Sequence, residues 1–253
     1  MGELSDKIAL VTGGSRGIGR AIALKLAAEG ALVAVHYGTN HTAAAETVAA
    51  LIDTGGQSFA IAADLAQRDG PERLFTALDQ ALRERGLPDA LDILVNNAGI
   101  GSRNAIGAVT EAQFDRIFQI NVKAVFFVTQ LAVTRLRDHG RIINISSTAA
   151  RIGYKDTPVY AAAKGALEAL TLPLAKELAP RGITVNAVAP GAVATDLNVL
   201  ATNPESAKQI AAETLLGRVG QPDDIADIVA FLASERARWI TGQRIEASGG
   251  LRV

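Results

Sequence analysis

The chain contains no cysteine, one tryptophan, one methionine and three histidines among its 253 residues. Without cysteine it can form no disulfide, bind no metal through thiolate and use no thiol nucleophile. The histidines, His36, His41 and His139, are too scattered for the spacing of a metal site or of a Ser-His-Asp hydrolase. We therefore interpret them as polar loop residues and expect no resident metal.

Charge is balanced and shows no strong excess of either sign. Lysine and arginine number 25, aspartate and glutamate 26, so the formal net charge of −1 offers no basic field to nucleic acid or to an anionic membrane. Residues 1–6 carry no basic and apolar leader, and no apolar run approaches the length of a membrane span. These absences predict a soluble, cytoplasmic protein without nucleic-acid or membrane partners.

Hydrophobic residues make up 49% of the chain and follow a regular alternation, in which short runs of Val, Ile and Leu alternate with longer alanine-rich stretches. This alternation is typical of parallel strands crossed by helices. Strands are predicted at 7–12, 31–37, 57–63, 91–96, 141–146, 183–188 and 243–246. Helices are predicted at 17–30, 41–54, 71–85, 111–138, 158–179 and 222–234. No linker divides the pattern, so we expect a single α/β domain over residues 1–253.

Two features depart from this alternation. Residues 192–220 lack a strand signal and hold only a weakly helical stretch at 205–216. Long insertions of this kind are usually functional, so we predict a substrate lid at about 192–220. Pro173 lies inside the predicted helix 158–179, where it should remove one helix hydrogen bond and bend the axis.

A glycine-rich turn follows the first predicted strand and opens the first helix. Its sequence is Thr12-Gly13-Gly14-Ser15-Arg16-Gly17-Ile18-Gly19. Glycines allow a pyrophosphate to approach the backbone closely, and a helix N-terminus offers it free N–H groups. The spacing differs from the usual G-x-G-x-x-G, and a tight turn without a ligand is the alternative. The strand–turn–helix context favours a dinucleotide site.

The second predicted strand ends without the acidic residue that commonly binds the ribose of NAD. Tyr37, Thr39 and Asn40 stand there instead, while Arg16 in the glycine turn can reach a 2′-phosphate. We therefore favour NADP(H) over NAD(H). The alternative is that Arg16 is solvated and that Thr39 or Asn40 binds a plain ribose.

Tyr160 and Lys164 are four residues apart in a predicted helix, and Ser147 lies thirteen residues before the tyrosine. Side chains with this spacing share a helix face. An ammonium about 5 Å from a phenol favours the phenolate by roughly 3 kcal/mol at an effective dielectric near 20, or about two pKa units. We therefore expect Lys164 to lower the pKa of Tyr160. The alternative is a surface pair that merely shares a face.

These motifs together resemble the classical short-chain dehydrogenase/reductase family, over essentially the whole chain. The motifs that carry the resemblance are the glycine turn, Asp64-Leu65, Asn96-Asn97-Ala98-Gly99, Asn121, Ser146-Ser147, Tyr160-x-x-x-Lys164, and Pro190-Gly191 with Thr195. The resemblance implies a Rossmann-type, doubly wound parallel sheet with strand order 3-2-1-4-5-6-7 and helices on both faces.

The resemblance also implies which residues bind the dinucleotide outside the glycine turn and the end of the second strand. They are Asp64, Leu65, Asn97, Ala98, Gly99, Tyr160, Lys164, Pro190, Gly191, Val193 and Thr195. Asp64 would accept a hydrogen bond from the adenine amino group, and Asn96 would tie neighbouring strands. Thr195 and the backbone near Val193 would hold the carboxamide. From the residues alone, Asp64 could instead cap a turn.

The resemblance implies four catalytic residues: Asn121, Ser147, Tyr160 and Lys164. Ser147 would bind the substrate oxygen, Tyr160 would exchange the proton, and Lys164 would hold the ribose hydroxyls as well as tune the tyrosine. Asn121 would anchor a water that links Lys164 to solvent. Two alternatives are open: Asn121 could satisfy backbone groups of its own helix, and Ser146 is the rival of Ser147, pointing the opposite way along a strand.

The implied function is an NADP(H)-dependent oxidoreductase that interconverts a carbonyl and a secondary alcohol. The chain is most similar to the 3-oxoacyl-carrier-protein reductase-like branch, in which Arg181 fits a carrier-protein contact but Asp138 stands where a basic residue is expected. A small ketone, keto-ester or keto-sugar is therefore at least as well supported as a 3-oxoacyl group. The competing functions are an NAD-dependent alcohol or sugar dehydrogenase and a non-catalytic dinucleotide sensor.

The resemblance also implies a homotetramer. One interface would pair the predicted helices 111–138 and 158–172 across a dimer, and 222–253 would form a second interface. The alternative is that both helices pack within one monomer.

Overall fold

A computed structural model describes residues 2–252; residues 1 and 253, the two ends of the predicted domain, lie outside the described part. Seven parallel strands form one sheet in the order 3-2-1-4-5-6-7, which confirms the predicted fold class. The strands are β1 (Ile8–Val11), β2 (Leu32–Tyr37), β3 (Gln57–Ala62), β4 (Leu91–Asn96), β5 (Leu136–Ile145), β6 (Thr184–Pro190) and β7 (Arg244–Ala247).

Helices cover both faces of the sheet. They are α1 (Gly17–Ala28), α2 (His41–Asp53), α3 (Gly70–Arg83), α4 (Glu111–Phe118), α5 (Ala124–Val133), α6 (Ala149–Ile152), α7 (Pro158–Leu178), α8 (Val199–Thr202), α9 (Pro204–Ala212) and α10 (Pro222–Ala233). Because side chains alternate along a strand, Val11 packs on Ile22 and Val229 in one core, while Leu10 packs in a second core with Leu74.

The long helix predicted at 111–138 is wrong at its C-terminal end and is interrupted in the middle. The α-helical path ends at Val133, and a π-helical segment, Gln119–Lys123, separates α4 from α5. Leu136 instead begins β5 and pairs with Leu91 of β4. The pairing register between β4 and β5 shifts immediately after this pair, and polar residues follow Leu136. The regular alternation of apolar and polar residues that marks a strand is therefore missing at the start of β5.

By length and composition alone, the stretch Glu111–Val133 is apolar enough to cross a membrane, contrary to the expectation drawn above. Only one side of it is buried, since Ala124, Val128 and Ala132 pack in the core beneath the sheet while Phe126 and Phe127 are exposed. The buried side packs as that of a core helix does.

The region predicted as a lid holds two short helices, α8 and α9, in place of the weak helix expected at 205–216. Its two ends meet in a parallel bridge between Val193 and Gly220. Helix α7 continues through Pro173 to Leu178, so the proline does not end the helix; the bend expected there stays a prediction.

The strand order reverses between β1 and β4, since β2 and β3 lie on one side of β1 and β4 to β7 on the other. A crevice forms at the carboxyl ends of the strands where the order reverses in an open α/β sheet. The glycine turn after β1, the loop after β4 and the segment after β5 all lie at this edge.

Candidate active site

The glycine turn is fastened to the loop after β4. The Thr12 hydroxyl accepts hydrogen bonds from the N–H groups of Asn97 (2.9 Å) and Ala98 (3.0 Å). The Asn97 amide donates in return to the carbonyls of Thr12 (2.9 Å) and Gly13 (3.0 Å). Thr12 has no assigned role in the sequence analysis, yet its hydroxyl joins the two loops. Its position at the end of a buried strand is the sequence feature that could have indicated this role.

Close backbone approach within the turn requires glycine at position 19. A Cβ atom on Gly19 would lie 2.2 Å from the carbonyl oxygen of Gly13 and 2.4 Å from the Asn97 amide nitrogen. Gly17, at φ +53°, begins α1, whose first turn carries no acidic residue and no side-chain cap. Its N–H groups are therefore available to a phosphate, and this cradle fits the pyrophosphate of a dinucleotide.

The residues expected around the adenosine ribose lie at the end of β2 and on the rim. Tyr37 is buried, Thr39 is exposed, and Asn40 caps α2 by accepting from the N–H of Ala43 at 3.0 Å. Arg16 is exposed, and its guanidinium lies 3.9 Å from a carboxylate oxygen of Asp196 in the predicted lid.

Asp64 and Leu65 follow β3 on the same side of the molecule. Asp64 accepts from the N–H of Ala66 at 3.0 Å and from the Gln67 side chain at 3.1 Å, so the turn-capping alternative describes its contacts in this structure. The Asp64 side chain is exposed and Leu65 is buried. An exposed carboxylate retains lone pairs for a further donor.

His36 is not the polar loop residue expected from the sequence. It lies in β2 with 2% exposure and links two loops of the crevice. Its Nδ1 atom accepts from the N–H of Gly13 at 3.1 Å, and its Nε2 atom lies 2.9 Å from the carbonyl oxygen of Ala63. These contacts define the neutral tautomer with the proton on Nε2. Burial lowers the pKa of His36 to about 4.

The remaining histidines also differ from the loop expectation. His41 is the first residue of α2, and His139 lies within β5. Within residues 2–252, no group of three or more His, Asp or Glu side chains has the geometry to hold a metal ion.

The structure brings Ser147, Tyr160 and Lys164 together. The Lys164 ammonium lies 5.8 Å from the centroid of the Tyr160 ring and donates to the carbonyl of Ile145 at 2.7 Å. The Ser147 hydroxyl faces the Tyr160 phenol and acts to lower its pKa. Ser146, the rival serine, instead donates to Glu168 at 3.0 Å on the side of α7. Ser147 is therefore the serine that faces the tyrosine.

The expected lowering of the pKa of Tyr160 is wrong for this structure. Burial raises the pKa of the phenol, and the Ser147 hydroxyl only opposes this shift in part. Burial also lowers the pKa of Lys164 to about 8. Spacing along a helix predicts that the two groups lie together, but it does not predict how deeply they are buried. Here desolvation outweighs the attraction between the ammonium and a phenolate.

Asn121 lies in the π-helical segment and is fully buried. Its amide accepts from the N–H of Ile100 at 2.9 Å and donates to the carbonyl of Ile100 at 2.8 Å. It therefore satisfies backbone groups of the loop after β4, not of its own helix. A Cβ atom on Gly99, the preceding loop residue, would lie 2.9 Å from Asn121 Oδ1 and 3.5 Å from Lys164 Nζ.

The same loop separates the glycine turn from the Tyr160–Lys164 pair. Ala98 of this loop contacts the glycine turn, because a Cβ atom on Gly13 would lie 2.9 Å from Ala98 Cα. The next residue, Gly99, faces Lys164. The phosphate cradle and the Tyr160–Lys164 pair are thus one loop apart.

The segment after β6 closes the other side. Pro190 accepts from the N–H of Thr148, and a Cβ atom on Gly191 would lie 2.8 Å from Ser248 Cα. Val193 is buried, and a Cβ atom on Gly17 would lie 3.3 Å from a methyl carbon of Thr195. Of the residues predicted to hold the carboxamide, Thr195 therefore faces the glycine turn. The remaining turn residues, Ser15 and Ile18, lie in the turn itself, where the Ser15 carbonyl accepts from Thr47.

The strand order and the Ser–Tyr–Lys group beside a glycine turn define a class of Rossmann-type oxidoreductases, and comparison with known proteins agrees. A family model described as enoyl-(acyl carrier protein) reductase matches residues 13–252. The 3-oxoacyl-[acyl-carrier-protein] reductase FabG of Staphylococcus aureus is 42% identical over 97% of this chain and 98% of its own.

Two solved ketoreductases are also similar. The angucycline C-6 ketoreductase LanV, with bound NADP, has a TM-score of 0.95 and 47% identity over 99% of this chain and 97% of its own. LugOII, a promiscuous reductase that catalyses keto-reduction at C1 during lugdunomycin biosynthesis, has a TM-score of 0.96 and 48% identity over 99% and 100%. The chain belongs to the short-chain dehydrogenase/reductase family and, as predicted, is an oxidoreductase acting on carbonyl or alcohol groups.

We expect Gly19→Ala to weaken dinucleotide binding by about tenfold or more, because the new methyl group overlaps the Gly13 carbonyl and displaces the phosphate turn. Binding is measured by titrating the protein with NADPH and following nicotinamide fluorescence. The matched control is Gly107→Ala, since the Cβ position there has no atom within 4 Å. Equal affinities for the two variants would contradict the assigned cradle.

We expect stability to fall between pH 6.5 and about pH 4 through His36. The unfolded imidazole, with a pKa near 6.5, binds a proton in this range while the folded one does not, so acid favours unfolding by up to about 3 kcal/mol. His36→Asn removes this contribution and should flatten the decline in chemical denaturation at pH 7, 6, 5 and 4. His41→Asn, at an exposed position, should leave it unchanged. Parallel declines in wild type and His36→Asn would disprove the assignment.

Proposed function

We propose that this chain is an NADP(H)-dependent oxidoreductase that interconverts a carbonyl and a secondary alcohol by hydride transfer, with Tyr160 as the acid and base. The observation that carries the proposal is the convergence of Ser147, Tyr160 and Lys164 one loop away from the phosphate cradle. A bound NADPH would supply the hydride. The remaining chemistry, which is to orient the carbonyl and to provide a proton, falls to these side chains.

In the reductive direction, negative charge grows on the substrate oxygen. The hydroxyls of Ser147 and Tyr160 donate to that oxygen and therefore stabilise the transition state more than the ground state. Tyr160 then gives up its proton. Because burial raises the pKa of Tyr160, the phenol is protonated at neutral pH, which suits its role as proton donor in the reductive direction.

Lys164 is proposed to hold the ribose hydroxyls and to return a proton to Tyr160. With a pKa of about 8 it carries its proton at neutral pH and yet can release it at small cost. We propose that Asn121 fixes the loop that lies between Lys164 and the glycine turn, and that a water held near it connects Lys164 to solvent. Its two hydrogen bonds to Ile100 support the first of these roles.

NADP(H) is proposed in preference to NAD(H). The sequence places no carboxylate at the end of β2, and Arg16 is exposed at the rim beside that strand end. The similar ketoreductase LanV holds NADP in its solved structure. The residues proposed to bind NADP(H) are those that the family resemblance implies, in the glycine turn, at Asp64, in the loop after β4 and in the segment that ends at Thr195.

The proposed substrate is an uncharged, largely apolar ketone. Five of the large apolar side chains that the structure exposes lie on the predicted lid, namely Leu197, Val199, Leu200, Leu215 and Leu216. Exposed apolar clusters mark binding surfaces, and such a surface suits an apolar ring system better than a sugar. The angucycline-directed relative LanV agrees with this class.

A carrier-protein substrate is less well supported, although FabG is a relative. Arg181, the cation that fits such a contact, donates to Asp138 at 3.0 Å and to the carbonyl of Val133 at 2.9 Å. Its charge is therefore already paired.

The non-catalytic sensor has no positive feature, because the Ser147, Tyr160 and Lys164 set is complete. The NAD-dependent dehydrogenase would be favoured only if Arg16 proved irrelevant to cofactor choice.

We further propose that the chain works as a single domain with residues 192–220 as the substrate lid, as a homotetramer in the cytoplasm. The exposed apolar residues Phe126 and Phe127 of α5 and Leu172 of α7 support pairing of these helices between subunits. Light scattering at micromolar concentration measures the assembly.

We expect steady NADPH oxidation, followed at 340 nm, with an angucyclinone or another uncharged multi-ring ketone. Tyr160→Phe should lower kcat by about 100-fold or more, because the proton donor is lost, while the Kd for NADPH changes by less than about twofold. A 3-oxoacyl thioester in the same assay compares the substrate classes. Near-normal turnover in Tyr160→Phe would refute the proposed mechanism.

We expect Arg16→Ala to lower kcat/KM for NADPH by about tenfold or more and to change that for NADH by less than about twofold, because only NADPH carries the 2′-phosphate. Arg16→Lys should fall between, since it keeps the charge without the planar fork. A wild-type enzyme that prefers NADH by tenfold would overturn the cofactor assignment.

A further inference from the structure

The C-terminal limb of the lid is paired with residues 248–252. Thr214 and Leu251 form an antiparallel bridge, and the N–H of Arg252 donates to the carbonyl of Glu213 at 3.2 Å. Leu251 is 2% exposed, so this pairing is packed and not a surface contact of mobile ends. The lid is therefore attached at two places, at its base through the Val193–Gly220 bridge and at its far limb through this tail.

The side chain of Arg252 extends the attachment to a third segment. Its Nε atom lies 2.6 Å from a carboxylate oxygen of Glu213, and its guanidinium carbon lies 5.0 Å from the centroid of the Tyr154 ring. Tyr154 belongs to the segment that joins Ser147 to Tyr160. One arginine thus contacts the lid and the segment that carries both substrate-binding hydroxyls.

Each contact alone is weak, but the geometry makes them cooperate. Glu213 and Arg252 are each 46% exposed, and exposed ion pairs contribute little to stability. A planar guanidinium can stack on an aromatic ring and donate to a carboxylate in the same pose. Pairing with Glu213 therefore holds Arg252 over Tyr154, and stacking on Tyr154 holds it beside the lid.

We propose that Arg252 is a positioning residue for the substrate: it holds the far limb of the lid against the Tyr154 segment and so sets the shape of the ketone side of the crevice. The kinetic part of this inference rests on the proposed function, whereas the attachment of the lid does not. Arg252 has no contact with the cofactor cradle in the described contacts, so its effect should be confined to the substrate.

The experiment compares wild type with Arg252→Ala and Tyr154→Leu, using as the matched control Arg73→Ala, which removes an exposed ion pair with Asp69 at the start of α3. Arg252→Ala should raise KM for the ketone about five- to tenfold, with kcat and the Kd for NADPH each within about twofold. Amide hydrogen exchange across 205–216 should quicken by a similar factor, since the limb opens more often. Tyr154→Leu should shift both readouts in the same direction.

A conservative variant and a charge-exchange variant distinguish a positioning role of Arg252 from a general loss of folding. Arg252→Lys keeps the charge pair but not the planar stacking and should fall between wild type and Arg252→Ala. The double variant Glu213→Arg with Arg252→Glu should recover part of the exchange protection that Arg252→Ala loses.

Unchanged exchange and KM in Arg252→Ala would overturn the inference, as would equal changes in Arg73→Ala or a matching loss of NADPH affinity. If the wild type reduces no ketone, the proposed function fails by itself. The hydrogen-exchange comparison then still decides whether Arg252 attaches the lid.

Discussion

The buried ammonium of Lys164 is the constraint on which the catalytic end of the molecule depends. A cation removed from water is costly unless polar groups replace its hydration. In this structure the Ile145 carbonyl at the end of β5 supplies one such group, and burial still lowers the pKa of Lys164 to about 8. The hydrogen bond from Lys164 to Ile145 thus joins α7, which carries Tyr160, to the end of β5.

The same burial decides which member of the pair is the stronger acid. Desolvation raises the pKa of Tyr160 and lowers the pKa of Lys164 to about 8, so the ammonium becomes the more acidic of the two groups. A lysine of this kind would readily return a proton to a tyrosinate that has given up its own. A solvent-exposed pair with the same spacing would lack this difference in pKa. The chemistry thus depends on the packing around the pair as much as on the two residue types.

The sequence allowed much of this arrangement to be predicted, because several features are local. Apolar runs located the strands, and the i, i+4 spacing located Tyr160 and Lys164 on one face of α7. Features that depend on distant packing were not accessible. The buried role of His36, the early start of β5 at Leu136 and the raised pKa of Tyr160 each follow from neighbours far away in the chain. Periodicity and residue type do not contain that information.

The two halves of the crevice are held by interactions of different kinds. The cofactor half is fastened by buried, short-range bonds of Thr12, Asn97 and His36, which salt screens little. The predicted lid is held at its surface by ion pairs of exposed arginines, since Arg252 pairs with Glu213 of its far limb and Arg16 of the glycine turn lies near Asp196.

Exposed pairs of this kind contribute little stability and are screened by salt, so they attach the predicted lid less firmly than buried bonds attach the cradle. The relatives described above share about 42–48% of this sequence and are named for reactions on different carbonyl substrates. Substrate choice in this chain should accordingly be sought in the contacts of residues 192–220 and in the side chains, such as Arg252 and Tyr154, that hold this lid in place.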